Sequence, residues 1–213
     1  MLNNTGFDLW ADGYDKAVGI SDEEKTYPFA GYKDVLGHIF NSVMQKPNSS
    51  VLDIGFGTGT LTAKLYEKGC EIYGQDFSER MIELASQRMP DAHLFKGDFS
   101  CGLVKPLRER SYDFIVATYS LHHLSDRQKV SFLNSLLSLL APEGNILIGD
   151  VAFETRAQLE ECKSSAGDEW DDEEFYFVAD ELKSAFPQLS FAKLSYCAGV
   201  ITICRQDVNT ERH

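Results

Sequence analysis

The sequence predicts an α/β fold with a Rossmann-like, seven-stranded sheet that is mostly parallel and carries helices on both faces. Three observations favour it. Short apolar runs alternate with helical patterns along residues 51–152, as in parallel sheets covered by helices. The first run, Val51–Phe56, leads into a glycine-rich turn. The last two runs, within residues 189–206, are joined so closely that they must pair antiparallel.

The length and charge narrow the classes of protein. The 213 residues suit one compact domain, and the formal charge is −13. This charge disfavours contact with nucleic-acid phosphates, and no apolar run is long enough to span a membrane. The first residues lack the cationic region of a secretory signal. We therefore expect a cytoplasmic protein without a nucleic-acid or membrane partner, and the oligomeric state stays open.

The five cysteines predict free thiols. Their number is odd, and no pair has the C-x-x-C spacing of a metal or redox site. Free thiols fit a reducing compartment. We predict no zinc site among them.

Helical spacing marks the N-terminal region, residues 1–46. Apolar side chains recur at i, i+3, i+4 and i+7 in two sets: Phe7, Trp10, Ala11 and Tyr14, then Leu36, Ile39, Phe40 and Val43. The polar segment Lys46–Ser50 breaks the pattern. We predict an N-terminal helical cap on the sheet.

The remaining elements follow in order. Apolar runs predict strands over residues 51–56, 71–76, 92–98, 112–120 and 145–152. Start and stop residues predict three helices: one over residues 58–68 that Gly69 ends, one from the Ser78 cap to Pro90, and one from the Ser125–Gln128 capping box to the Ala141–Gly144 segment. Two further helices are predicted near residues 154–166 and 172–185. The tail predicts a hairpin joined near Ala198–Gly199.

The turn after the first strand has three alternating glycines, Gly55, Gly57 and Gly59. Glycine permits a tight turn and lets a ligand approach the backbone. Asp76 ends the second strand, where an acid can accept hydrogen bonds from ribose hydroxyls. The dinucleotide pattern G-x-G-x-x-G would need a glycine at Thr60, and the turn has no Arg or Lys. A nucleoside ligand without phosphates is therefore favoured over NAD(P).

Four features together resemble the class I S-adenosylmethionine-dependent methyltransferases: VLDIGFGTG (51–59), Asp76, GDF (97–99) and YDFIVATYSLHHL (112–124). The segments FDLWADGYD (7–15) and TYSLHHLSD (118–126), together with the chain length, look like the small YrrT-like group of that family. The resemblance implies one methyltransferase domain over residues 1–213, with S-adenosylmethionine as cofactor and S-adenosylhomocysteine as product. It divides the chain into the cap 1–46, a cofactor-binding core 50–152, a variable lid and acceptor region 153–187, and the hairpin 188–206.

The resemblance also implies roles for single residues. Asp53 would hold the glycine loop and the methionine amino group, and the backbone of Gly55 and its neighbours would lie against the methionine. Asp76 would bind the ribose. The remaining implied contacts are Asp98 and the Phe99 amide with the adenine, Thr118 with the methionine end, and Tyr14 over the cofactor. Aromatic faces suit a sulfonium cation, and Phe56 and Phe77 are further candidates for them.

Methyl transfer from a sulfonium needs alignment of acceptor, carbon and sulfur more than it needs a special side chain. His123 and His122 are the candidate general bases, because they follow the fourth strand. Adjacent histidines seldom face one ion, so no metal site is predicted. Tyr119, Tyr176, Glu173 and Glu174 are candidates for the acceptor pocket.

The leading hypothesis is therefore an S-adenosylmethionine-dependent methyltransferase with a small-molecule acceptor. Two alternatives stay open at this stage. One is a non-catalytic S-adenosylmethionine-binding module, because catalysis by alignment leaves no obligatory residue. The other is an NAD(P)-dependent oxidoreductase.

Overall fold

The computed structural model describes residues 26–205. Its helices are α1 Tyr32–Val43, α2 Thr62–Glu67, α3 Glu79–Arg88, α4 Lys105–Arg108, α5 Asp126–Leu137, α6 Arg156–Ala166 and α7 Ala179–Leu182. Its strands are β1 Ser50–Ile54, β2 Glu71–Asp76, β3 His93–Lys96, β4 Tyr112–Thr118, β5 Leu140–Phe153, β6 Phe177–Val178, β7 Ser190–Lys193 and β8 Ala198–Cys204. The predicted helical face from Phe7 to Tyr14 lies outside the described residues.

The strands form one mixed sheet in the order β3-β2-β1-β4-β5-β8-β7, with β6 beside the end of β5. Strands β1 to β6 pair in parallel, whereas β8 runs antiparallel to both β5 and β7. The chain builds outward from β1 to β3 and then returns to place β4 on the other side of β1. This reversal lies at the carboxyl ends of β1 and β4, where open α/β sheets bind ligands.

Both faces of the sheet are apolar, as the continuous apolar strand sequences predict. In β1, Val51 packs into the core on one face and Leu52 into the core on the other. Helices α1, α2, α3 and α6 cover the first face, and α4, α5 and α7 cover the second. The predicted α/β class, the antiparallel hairpin and the helices on both faces are confirmed.

Local start and stop signals place several elements correctly. The Ser78 hydroxyl accepts a hydrogen bond from the Met81 amide at 3.2 Å, which caps α3. The Gln128 side chain accepts from the Ser125 amide at 3.0 Å, which begins α5. Gly69 follows α2 with φ of +88°, a left-handed conformation that favours glycine.

Two predicted boundaries are wrong. Helix α2 begins at Thr62 rather than at residue 58, because Gly59 is still left-handed at φ +75°. Helix α5 ends at Leu137, before the Ala141–Gly144 segment expected to stop it. Strand β5 already begins at Leu140, so it includes the Ala141–Gly144 segment. The pairing of β5 with β4 is irregular there.

The C-terminal third needs two further corrections. The helix predicted over 172–185 is replaced by β6 and the four-residue α7, because Phe177 and Val178 pair with the end of β5. With this short strand, the described residues contain eight strands rather than the seven predicted. The hairpin is joined through residues 194–197, where the Ser195 hydroxyl accepts from the Ala198 amide at 3.0 Å. Ala198 and Gly199 therefore lie inside β8.

Two chemical features belong to the fold as a whole. Within residues 26–205, no helix combines the length and the apolar character needed to cross a membrane. The five cysteines all fall in this range and are free thiols.

The packing of α1 on β5 generates a stability prediction. A Cβ on Gly149 would lie 2.3 Å from Cγ1 of Val35 and 2.9 Å from Cδ1 of Ile39. Gly149→Ala should therefore lower the free energy of unfolding by about 1–3 kcal/mol through overpacking. Urea denaturation would measure it. Gly37→Ala, within α1 itself, is the matched control because its Cβ meets nothing within 4 Å, and it should be neutral or slightly stabilising. Equal effects of the two substitutions would contradict this account.

Candidate active site

A cleft of about 670 Å³, including its open mouth, lies at the carboxyl ends of β1, β2 and β4. Nine of the residues singled out from the sequence as site residues line it: Gly55, Phe56, Gly57, Asp76, Phe77, Phe99, Thr118, Tyr119 and His123. Three others, Asp53, Gly59 and His122, are buried behind this lining or packed beside it. Tyr14 lies outside the described residues.

The three glycines of the loop serve different purposes. A Cβ on Gly55 would lie 2.7 Å from Cβ of Ser120, and one on Gly59 would lie 2.9 Å from Cε of Met89. These two glycines allow the loop to pack against β4 and α3. Only Gly57, at φ +55°, would place a Cβ in open space with nothing within 4 Å. Gly57 is therefore the glycine that leaves room for a ligand.

The Asp76 side chain holds the glycine loop as well as facing the cleft. Its Oδ2 accepts a hydrogen bond from the Gly57 amide at 2.9 Å, and its Oδ1 accepts from the Ser78 amide at 2.9 Å. Each carboxylate oxygen has two lone pairs, so further hydrogen bonds to ligand hydroxyls remain possible. One buried acid thus joins the loop, the end of β2 and the start of α3.

Asp53 lies in β1 below the loop and is fully buried. Its Oδ2 accepts from the Thr62 hydroxyl at 3.1 Å, whereas its Oδ1 makes no hydrogen bond to the described residues. Burial raises the pKa of Asp53 to about 7, with a further contribution from Asp76 and an opposing one from Thr62. A buried acid with an unused oxygen suits a cationic group of a ligand, because a nearby positive charge stabilises the carboxylate.

The adenine end of the implied site is built differently from the ribose end. The buried Phe99 ring lines the cleft, but Asp98 is exposed, and its Oδ1 accepts from the Ser100 amide at 2.8 Å. Asp98 thus caps the turn that carries Phe99 and is not part of the cleft lining. Its contact with adenine stays a prediction.

Aromatic side chains from α1 and the end of β4 close one side of the cleft. Tyr119 has a left-handed backbone at φ +50°, and its ring packs 5.1 Å from that of Tyr32 and 5.4 Å from that of Phe29. Tyr32 lines the cleft beside Tyr119. No sequence pattern marked Tyr32, because its approach to β4 depends on how α1 docks on the sheet.

The two histidines occupy a short 3-10 turn, Leu121–His123, but have different surroundings. His122 is buried, and its Nδ1 lies 2.7 Å from Oδ1 of Asp150. His123 is partly exposed and lines the cleft. Asp150 was missed from the sequence, although its position near the end of β5 is where site residues are expected.

The two imidazoles also differ in basicity. Burial by itself would lower the pKa of His122, but the charge of Asp150 and the hydrogen bond to it outweigh burial, so the pKa is raised. Burial and the neighbouring His122 lower the pKa of His123 to about 4. At neutral pH, the His123 imidazole is therefore uncharged.

Fold and cleft together define a nucleoside-cofactor enzyme of the Rossmann type. Over residues 51–144 the chain matches the family described as Methyltransferase domain. It is 38% identical over 177 residues to an uncharacterized methyltransferase of Geobacillus sp. (strain WCH70), covering 83% of this chain and 78% of that one. It is 34% identical over 194 residues to one of Geobacillus kaustophilus, covering 87% of each chain.

Solved structures share the fold. The DhpI-SAM-HEP complex is similar with a TM-score of 0.68 and 19% identity, over 95% of both chains. The structure of magnesium protoporphyrin IX methyltransferase (ChlM) from Synechocystis with bound SAH is similar with a TM-score of 0.66 and 19% identity, over 84% of this chain and 85% of that one. The chain belongs to the class I S-adenosylmethionine-dependent methyltransferases. The relatives favour this activity over the oxidoreductase alternative.

The open space at Gly57 generates a binding prediction. Gly57→Ala would place a methyl group in the cleft, and we expect at least a tenfold loss of S-adenosylmethionine affinity in a calorimetric titration. The left-handed backbone adds a strain of about 1–2 kcal/mol. Gly167→Ala is the matched control: Gly167 has φ +56° and open space around its Cβ, so it shares the strain but not the cleft. Equal affinities of the two variants would show that Gly57 only forms a turn.

The raised pKa of Asp53 generates a pH prediction. Between pH 4 and pH 7 the folded state holds a proton that the unfolded state has released, so the free energy of unfolding falls as pH rises through this window. The amide side chain of Asp53→Asn is neutral at every pH, so this variant should lack the fall in the free energy of unfolding, which amounts to about 2–4 kcal/mol over the window. Urea unfolding of both proteins at several pH values measures the difference. Parallel stability curves would contradict a raised pKa.

Proposed function

We propose that this methyltransferase acts on a small-molecule acceptor by in-line transfer, with the acceptor on the aromatic side of the cleft. The observation that carries the proposal is the cleft itself. It lies at the carboxyl ends of β1, β2 and β4, where open α/β sheets bind small ligands, and it is lined by glycines, a buried acid and aromatic rings. Tyr32, Tyr119 and His123 line the side expected to receive the acceptor.

Charge and likeness support the same proposal. The chain's formal charge of −13 disfavours nucleic-acid substrates. Among its structural neighbours, ChlM is named as a methyltransferase of magnesium protoporphyrin IX, which is a small molecule. ChlM and this chain are similar in fold, with 19% identity, and the small-molecule acceptor is our proposal for this chain.

The residues of the cleft fit S-adenosylmethionine. Asp53, buried behind the lining, has an oxygen without a hydrogen bond to the described residues that can stabilise the ammonium group of the methionine part, and Gly57 leaves space where the cofactor would pass the loop. Asp76 lines the cleft, and its carboxylate is a suitable acceptor for ribose hydroxyls. The rings of Phe77 and Phe99 supply apolar walls for the adenine.

S-Adenosylmethionine supplies a methyl group that is already activated on a sulfonium sulfur. The protein's part is then to align the reacting atoms and exclude water, and positioning of this kind lowers a barrier by about 7–11 kcal/mol. The packed rings of Phe29, Tyr32 and Tyr119 keep water from one side of the cleft. His123 offers a neutral imidazole to the acceptor, whereas His122 is held by Asp150.

The acceptor class is tested with S-adenosylmethionine labelled in the methyl group and a cell extract separated into small-molecule, protein and RNA fractions. We expect label in the small-molecule fraction. Label in protein or RNA would overturn the acceptor class. Cofactor binding without transfer to any fraction would favour the non-catalytic module.

The ribose contact is tested with Asp76→Ala, which should weaken S-adenosylmethionine binding by about 1.5–3 kcal/mol, roughly 10- to 150-fold, because charge-assisted hydrogen bonds are lost. Asp113→Asn is the control, since Asp113 lies at the amino end of β4 and bonds Lys46 and Ser50. Unchanged affinity of Asp76→Ala would remove Asp76 from the ribose site.

A further inference from the structure

Three metal-ligating side chains converge beside the cleft: His122, His123 and Glu174. The Nε2 atom of His122 lies 3.5 Å from Oε1 of Glu174, and Nδ1 of His123 lies 3.9 Å from the same oxygen. All three donor atoms lie within 4.8 Å of one another. In a tetrahedral zinc site with bonds of about 2.0–2.2 Å, donor atoms are roughly 3.3–3.6 Å apart. The two distances to Glu174 are within a few tenths of an ångström of that spacing, and rotation of the His123 side chain can close the remaining distance between the imidazoles.

The backbone explains how adjacent histidines can face one point. Their 3-10 turn places the two ring centroids 4.3 Å apart with planes at 71°. His122 presents its Nε2 and His123 its Nδ1. Adjacent histidines can therefore approach the same oxygen, because each presents a different ring nitrogen.

A buried carboxylate orients the first of these histidines. Oδ1 of Asp150 lies 2.7 Å from Nδ1 of His122 and accepts from the Val151 amide at 2.8 Å. This arrangement points Nε2 of His122 toward Glu174. A histidine that ligates a metal almost always donates its other N–H to such an acceptor, which fixes the tautomer and strengthens the ligand.

The segment that carries Glu174 is held against the histidine turn from two sides. The Phe175 amide donates to the His122 carbonyl at 2.8 Å. The buried Lys129 ammonium donates to the Phe175 carbonyl, and the hydroxyls of Tyr176 and Tyr27 are hydrogen-bonded to each other. The three donor atoms therefore lie on backbone whose position does not depend on an ion.

We propose that His122, His123 and Glu174 bind one divalent transition-metal ion of the Zn²⁺ type. Two imidazole nitrogens and one carboxylate oxygen form a donor set that suits Zn²⁺ and similar ions, whereas Mg²⁺ prefers an octahedral shell of oxygens. Three protein ligands leave a coordination position open, as in catalytic rather than structural zinc sites.

The ion would border the cleft, because His123 belongs to both the cluster and the cleft lining. A Lewis acid there lowers the pKa of an acceptor hydroxyl or thiol, whose proton then passes to solvent. This role rests on the proposed methyl transfer, whereas the binding of the ion does not.

The test uses the tag-free full chain after treatment with a chelator, titrated calorimetrically with ZnCl₂ alone. We expect one equivalent to bind with a micromolar or lower dissociation constant. Co²⁺ in place of Zn²⁺ should give the visible absorption of a four- or five-coordinate site. Glu174→Gln and His123→Ala should each weaken Zn²⁺ binding at least tenfold, and Asp150→Asn about 10- to 100-fold.

Glu173→Gln is the matched control, because Glu173 is the exposed acid next to Glu174, and it should bind Zn²⁺ like the parent protein. Thermal melts establish that each variant is folded. Absence of stoichiometric binding, or equal affinities for Glu174→Gln and Glu173→Gln, would overturn the site. S-Adenosylmethionine titrations of the same samples keep the two proposals apart: cofactor binding without Zn²⁺ binding rejects the metal site alone.

Discussion

The close approach of β1 and β4 at their carboxyl ends is the constraint on which the rest of the site depends. Gly55 has no side chain, so Ser120 can pack directly against the loop backbone. The Ser120 hydroxyl donates to the Ile54 carbonyl at 2.7 Å, which ties the two strand ends together. The glycine loop leaves one of these ends and the histidine turn leaves the other. The cofactor-binding and acceptor-side residues therefore lie close together, because only the Ser120 side chain separates the backbone after β1 from the backbone after β4.

Buried acids give this region its electrostatic character. Asp53, Asp76 and Asp150 are all nearly inaccessible, and each lies at or near the carboxyl end of a parallel strand. Backbone amides satisfy both oxygens of Asp76 and one oxygen of Asp150, but Oδ1 of Asp53 and Oδ2 of Asp150 make no hydrogen bond to the described residues. Three buried carboxyl groups at one sheet edge suit a cationic ligand, because a bound positive charge offsets the cost of burying a carboxylate.

Predictions from the sequence were correct where the signal lies within a few neighbouring residues. The Ser78 cap, the capping box at Ser125 and the spacing from Gly55 to Asp76 each depend on a few neighbouring residues, and the structure has the corresponding elements. The failures involve partners far apart in the chain. Phe177 and Val178 form a strand only because the end of β5 lies beside them. Glu174 meets His122 across 52 residues, a contact that no spacing rule encodes.

The position of β8 has a consequence for how the chain folds during synthesis. This strand is the last described element, yet it lies between β5 and β7, and seven of its residues pair with β5. Its buried core residues Val200, Ile201 and Ile203 close both faces of that half of the sheet. While residues 198–204 are still inside the ribosome, β5 exposes an unpaired apolar edge. The nascent chain must therefore keep an aggregation-prone edge open until residues 198–204 have emerged, and the sheet can form as one cooperative unit only after that point.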